Sequence, residues 1–221
     1  MVDLNEVAKA ILAGCPAWLM KVDAKDGAAL DAIQKRDMPG AQRVKVVRDW
    51  LHYYRVLRTY GDEEIVNTTA AIIQFADART NTKLSGPEEI LSEFKKLQAI
   101  LQEVSPLIMA GGHRKVVSLT SKALWLCYPE DIPIFDGNAK RALQVLSRIA
   151  GVRAASCLKN DDYAAFIDVW FKLREKLSQS LVVPGCGLQP VRILDKFLWY
   201  LGQPAFEFDS ASEPQEASLL S

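Results

Sequence analysis

Two side chains able to take part in covalent and acid–base chemistry, Lys122 and Asp136, lie fourteen positions apart. Asp136 directly precedes a helical pattern, and a helix N-terminus stabilises negative charge through its dipole and its unpaired N–H groups. A carboxylate held ionised there suits a reaction that develops positive charge, such as glycosidic bond cleavage through an oxocarbenium-like state. At about 4 Å and an effective dielectric near 20, the attraction is roughly 4 kcal/mol, or about three decades of rate.

Lys122 stands near the start of an apolar segment that precedes the aspartate. A lysine whose pKa is lowered by burial can act as an amine nucleophile. Between the two residues, Pro129 and Pro133 bound a short extended link that ends in Ile134-Phe135. We expect this link to bring the aspartate to the start of the next helix.

The elements around both residues are predicted to be helical, because apolar residues recur at three- and four-residue spacing along most of the chain. One helix is expected from about Val116 to Cys127 and a last one from Val191 to Leu201. The sequence Ser85-Gly86-Pro87-Glu88 is typical of a capping box and predicts a helix through Val104. The run 160–162 is expected to cap a helix through Leu177. With no convincing sheet, we predict an all-α protein.

Length and composition suit one large domain of a soluble protein. The 221 residues include 27 Lys and Arg against 27 Asp and Glu, so bulk charge alone does not predict a nucleic-acid or membrane coat. No stretch is apolar enough to span a membrane, and the first residues do not resemble a signal peptide. We therefore expect a cytoplasmic protein with one all-α domain over 1–205, lobes at roughly 1–104 and 105–205, and a disordered acidic tail at 206–221.

Cysteine and glycine spacing argues against common cofactors. The four cysteines are far apart and the chain has two histidines, so no zinc or iron–sulfur spacing is present. There is also no phosphate loop and no G-x-G-x-x-G. We expect reduced, mostly buried thiols and neither a metal nor another cofactor.

Local charge is less even than the total. From Lys35 to Arg58, seven basic residues stand against two acidic ones, a local net charge of +5. Further basic residues cluster at 114–122 and 140–153. Such clusters fit either solvated helix faces or a surface for a phosphate backbone.

The lysine-bearing helix, the link Pro133-Ile134-Phe135-Asp136 and the helix after it resemble the helix-hairpin-helix DNA glycosylase superfamily. The nearest branch is the bacterial 8-oxoguanine DNA glycosylase-like proteins, and the segment from Arg192 to Tyr200 is similar to the last helix of that branch. The resemblance covers roughly residues 105–202. It implies two helical lobes with a base pocket between them.

The resemblance also implies roles for individual residues. Asp136 would stabilise the sugar cation, and Lys122 would be the nucleophile of a bifunctional enzyme that also nicks the strand. Aromatic side chains that would stack on an extruded base, or else pack in the core, are Trp125, Tyr128 and Phe135. Residues expected to contact the DNA backbone are His113, Arg114, Lys115, Ser121, Asn138, Lys140, Arg48 and Arg55.

These observations predict a monomeric DNA glycosylase acting on double-stranded DNA that contains a modified base. Its substrate would be either a hypermodified phage base such as glucosylated hydroxymethylcytosine, in anti-phage defence, or oxidised guanine, in repair. Two alternatives remain open at the sequence level. One is a non-catalytic helical DNA-binding module in which Asp136 is only a helix cap, and the other is a helical protein-interaction domain.

Overall fold

The computed structural model describes residues 4–15, 23–35, 37–79, 83–105, 108–109, 112–113, 116–152, 158, 161–177 and 187–204. Nine helices fall in these residues. They are α1 (Leu4–Gly14), α2 (Ala24–Gln34), α3 (Gly40–Tyr53), α4 (Asp62–Ala78), α5 (Pro87–Val104), α6 (Val117–Cys127), α7 (Gly137–Ile149), α8 (Tyr163–Lys176) and α9 (Pro190–Leu201).

The predicted all-α class is confirmed. The extended structure in the described residues is one antiparallel ribbon of two residues per strand, β1 (Ile108–Met109) and β2 (Gly112–His113). None of the helices in the described ranges is both long and apolar enough to cross a membrane.

Helix ends follow from local side-chain contacts. Asp136 and Asp162 cap α7 and α8 by accepting hydrogen bonds from the first backbone N–H groups of their helices. The helix predicted from the box at Ser85 begins one residue later than expected, at Pro87. Glu89, rather than Glu88, accepts the hydrogen bond from the Ser85 backbone N–H.

Helix α6 lies at the centre of the packing. Every residue of the helix from Leu119 to Cys127 is buried, and α6 packs against both α5 and α2. The other main pairs are α2 with α3, α3 with α4, α4 with α5, and α7 with α8 and α9. Lys122 therefore stands on the most enclosed helix of the described structure.

Gly202, directly after α9, permits a close approach to the first turn of α7. A Cβ atom at this position would lie 1.8 Å from the backbone oxygen of Asn138, which no side chain can tolerate. The Gly202 carbonyl also accepts a hydrogen bond from Arg141 Nη1 at 2.7 Å. The end of α9 is thus fixed against the start of α7, two residues after Asp136.

Candidate active site

A cleft of about 1030 Å³ opens beside the start of α6 and the start of α7. Its wall includes the end of α3 with the following turn, the link before α7, and one face of α9. Lys122 and Asp136 both line it. The two residues that the sequence analysis singled out for chemistry thus share one concave surface, the usual setting of a binding site.

Lys122 lines this cleft with only 4% of the residue exposed. Its Nζ donates hydrogen bonds to Ser118 Oγ at 2.8 Å and to the Phe135 carbonyl oxygen at 3.4 Å. Burial lowers the pKa of Lys122, and the Asp136 carboxylate partly opposes that shift. Lowering of this kind increases the neutral, nucleophilic fraction of the amine at a given pH.

Asp136 is held by the helix that it caps. One carboxylate oxygen accepts the Ala139 backbone N–H at 2.8 Å, and the side chain is half-buried at the cleft wall next to Gly137 and Asn138. The backbone thereby fixes this carboxylate in position. A fixed carboxylate stabilises a developing cation without the cost of reorienting during the reaction.

The link before Asp136 is anchored from three helices. Ser121 Oγ on α6 accepts the Phe135 backbone N–H at 3.1 Å. Asp195 Oδ2 on α9 accepts the Ile134 N–H at 3.1 Å, and the Tyr163 hydroxyl on α8 donates to the Pro133 carbonyl at 2.7 Å. The extended link is therefore a rigid support for the aspartate.

Asp195 is a second carboxyl group at this cleft, and only 3% of the residue is exposed. Burial raises the pKa of Asp195 to about 8, against the opposing effects of the Arg192 guanidinium and the Ile134 N–H. The group is therefore protonated over most of the acidic and neutral range, whereas Asp136 lies closer to solvent.

At the cleft wall, a buried network joins α9 to the N-terminal helices. Arg192 Nη2 donates to Asp26 Oδ2 at 2.8 Å and to the Tyr54 hydroxyl oxygen at 2.9 Å. The other oxygen of Asp26 accepts from Trp50 Nε1 at 2.9 Å and from the Tyr54 hydroxyl at 2.8 Å. The guanidinium carbon lies 4.7 Å from the centre of the Trp125 ring.

The three aromatic residues expected to contact a base lie in the core. Trp125, Tyr128 and Phe135 are each at most 5% exposed, and none is among the lining residues of the cleft. Trp125 stacks on Trp50 at 5.9 Å, and Phe135 meets the Phe166 ring edge to face at 5.1 Å. This arrangement matches the core-packing interpretation of the three residues, which helical spacing also allowed.

Two of the expected DNA contacts face the cleft. Asn138 lines it at the start of α7, and Arg55 is exposed at its rim. Arg55 also adopts a left-handed backbone conformation with φ 56°. Both side chains therefore lie at the surface of the cleft.

The remaining expected contacts are dispersed. Ser121 is fully buried and bonded to the link, because its position on α6 faces the core rather than solvent. Lys140 pairs with Asp161 at 2.7 Å, and Arg48 lies 3.8 Å from the adjacent Asp49. His113 lies in the ribbon strand β2, while Arg114 and Lys115 lie outside the described residues.

The structure also divides the basic cluster between Lys35 and Arg58. Arg43 is buried, makes two 2.9 Å hydrogen bonds to Asp77, and donates a third to a backbone carbonyl. Lys35 pairs with Asp31 on its own helix. Arg55 and Arg58 face the cleft. A cluster that looks uniform in sequence therefore has a structural part and an exposed part.

Sequence reasoning missed the contribution of α9 to the site. Arg192, Asp195, Lys196 and Trp199 all line the cleft. Their spacing of three, four and seven residues from Arg192 places them on one helical face. The available signal was this stripe of charged residues within the otherwise apolar Val191–Leu201 segment.

Comparison with known proteins identifies no relative of this chain. No family model, curated protein or solved structure matches this chain. Within the described ranges, no three His, Cys, Asp or Glu side chains come together as a metal site. What the cleft can do chemically follows from its own groups: a buried amine, a fixed carboxylate, a buried carboxyl group and a cationic rim.

Proposed function

We propose that this protein is a DNA glycosylase that extrudes a modified base from duplex DNA and cleaves its N-glycosidic bond to leave an abasic site. The observation that supports this most is the shared cleft of Lys122 and Asp136, with the amine buried and the carboxylate fixed at a helix N-terminus. The helix-hairpin-helix resemblance of the segment 105–202 points the same way. On this proposal the helices form the two lobes of that superfamily, with the cleft as the base pocket.

Asp136 would stabilise the positive charge that develops on the deoxyribose as the bond to the base breaks. Water would then add to the sugar carbon, and its proton would leave through Asp136. If the Lys122 amine attacks that carbon instead, the base leaves with the bonding electron pair and the opened sugar is joined to the lysine as an imine. Loss of a C2′ proton then expels the 3′ phosphate, which nicks the strand, and water finally releases the sugar from the lysine. The buried position and lowered pKa of Lys122 favour the second course.

Duplex DNA would approach over the rim of the cleft. Arg55 and Arg58 are exposed there, and Asn138 also lines the cleft at the start of α7. Phosphate contacts from such residues would offset the few kcal/mol that extruding a base costs. The protein would act on DNA as a cytoplasmic monomer.

Two substrate classes fit the proposal. The 8-oxoguanine-like branch suggests oxidised guanine in repair, and its defence relatives suggest a hypermodified phage base such as glucosylated hydroxymethylcytosine. A cleft of about 1030 Å³ is large for a single purine, since pockets of ~300–1,000 Å³ suffice for whole drug-sized ligands. The cleft therefore has room for either class of base.

The test is abasic-site formation on two kinds of DNA: duplexes with oxidised guanine, and phage DNA with glucosylated cytosines. Wild-type protein should produce abasic sites on one of them, and Asp136→Asn should not. Strand nicking without alkali, lost in Lys122→Met, would identify Lys122 as the nucleophile. Absence of product on both DNAs from folded protein would refute the proposal.

A second candidate, a non-catalytic DNA-binding module, is favoured by one observation. Asp136 already has a structural role, because it caps α7 through the Ala139 N–H. In that case wild-type protein would bind duplex DNA with a salt-dependent affinity, make no abasic sites, and behave like Asp136→Asn in every assay. Undetectable DNA binding at moderate salt would instead favour a protein-interaction domain.

A further inference from the structure

The Arg192 guanidinium is held in a fixed position at the cleft wall. It is bonded to Asp26 and Tyr54 and lies against the face of Trp125. Arg192 is 9% exposed and its carboxylate partner 3%. Asp26 and Arg192 are 166 positions apart in the chain, so α2 and α9 are held together at this point.

This network places the guanidinium at the same cleft as the Lys122 amine, within range of an electrostatic interaction. Trp125 follows Lys122 by three residues on α6, so the two side chains share a face of that helix. Arg192 covers Trp125, and both Arg192 and Lys122 line the same cleft. A permanent cation and a buried amine therefore share one cleft wall.

We propose that Arg192 is a positioning residue for Lys122, because its fixed charge opposes protonation of the neighbouring amine. The Asp26 carboxylate determines where that charge sits and partly cancels it. The importance of a neutral Lys122 amine depends on the proposed glycosylase function, but the electrostatic coupling itself is a property of the folded protein and needs no DNA.

Other charged groups around the cleft act on the same amine. Asp136 favours its protonated form, and Asp195 does so above the pH at which it ionises. Lys196, Arg55 and Arg58 are further cations that line the cleft. Arg192 is fixed by two hydrogen bonds and is buried, as is Lys196, whereas Arg55 and Arg58 are exposed and therefore screened by solvent.

The electrostatic coupling between Arg192 and Lys122 is measured by trace acetylation with acetic anhydride over a pH series. Mass spectrometry quantifies the acetylated peptide that contains Lys122. Exposed Lys45 serves as the internal reference. In Arg192→Gln the Lys122 titration should move to higher pH, which slows its acetylation at neutral pH by roughly threefold to tenfold. In Asp26→Asn it should move to lower pH, because the arginine charge is no longer cancelled.

The opposite directions distinguish a charge effect from a structural one. If both substitutions only loosened the network, both would expose Lys122 and raise its pKa towards the ordinary value. Arg174→Gln is the matched control: this arginine also lies over a tryptophan, 5.7 Å from the Trp170 ring, but away from the cleft. It should leave the Lys122 titration unchanged.

Arg192→Gln leaves the buried Asp26 carboxylate without its ionic partner, and this destabilises the folded protein. The double variant Asp26→Asn, Arg192→Gln contains no unpaired charge and differs from Asp26→Asn by the arginine charge alone. Its Lys122 titration should lie at higher pH than that of the single variant. Equal titrations in these two proteins, or shifts in the same direction for both single variants, would overturn the inference. Because no DNA is used, a protein without glycosylase activity can still satisfy it.

Discussion

The buried Asp195 carboxyl group predicts how the folding stability of this protein changes with pH. The pKa of its carboxyl group is about 8 in the folded protein and 3.8 in an unfolded chain. Between these values the folded state holds a proton that the unfolded state has lost, so stability falls as pH rises. One proton corresponds to about 1.4 kcal/mol per pH unit, hence a loss of about 2–3 kcal/mol from about pH 5 to about pH 7.

Asp195→Asn removes this titration and keeps an oxygen to accept the Ile134 N–H. The free energy of unfolding, measured by urea titration at several pH values, should therefore decline less steeply with pH in the variant than in wild type. The difference between the two proteins should grow by about 2–3 kcal/mol from about pH 5 to about pH 7, or roughly 4–12 °C in melting temperature.

The matched control is Asp168→Asn, which neutralises an exposed aspartate paired with Lys172 on the same helix face. This substitution should leave the slope of stability against pH nearly unchanged, because exposed pairs contribute little. Parallel pH profiles for wild type and Asp195→Asn would refute the reasoning, since they would mean that the buried carboxyl group is already ionised at neutral pH.

Substitutions at three further positions test the residues that support the site. Asp136→Ala should cost about 1 kcal/mol by removing the α7 cap, whereas Asp136→Asn should keep that stability yet lower glycosylase activity by about three decades. Gly202→Ala should destabilise the protein and displace Asn138, since its Cβ would overlap that residue's carbonyl. Ser121→Ala should cost about 1–3 kcal/mol, because the buried Phe135 N–H loses its acceptor.

Urea denaturation at one pH measures all three costs, with single-turnover kinetics added for the Asp136 variants. Equal stability loss in Asp136→Ala and Asp136→Asn would contradict the capping role, and wild-type kinetics in Asp136→Asn would contradict the catalytic one. Gly14→Ala is the control for Gly202, because nothing lies within 4 Å of a Cβ there. For Ser121, a variant as stable as wild type would show that the Phe135 N–H finds another partner.

The amino-acid sequence alone determined the helical class and several helix ends. Caps at Asp136 and Asp162 involve hydrogen bonds to residues two or three positions on, so the residues that decide them are adjacent in sequence. The apolar periodicity of the segment from about Val116 to Cys127 likewise placed α6 within one residue. The start of α5 lies one residue later than predicted, at Pro87, and Glu89 rather than Glu88 accepts the Ser85 N–H.

Tertiary structure alone decided which face of each helix meets which neighbour. Helical spacing allowed Trp125 to contact a ligand or to pack, and packing of α6 among α2 and α5 put it in the core. The same spacing gave Arg192 and Asp195 no assigned role, yet α9 brings both to the cleft. Arg192 and Asp26 stand 166 positions apart, and their pairing depends on several helix contacts at once. No local pattern encodes such a contact, because its stability comes from the assembled core rather than from neighbouring residues.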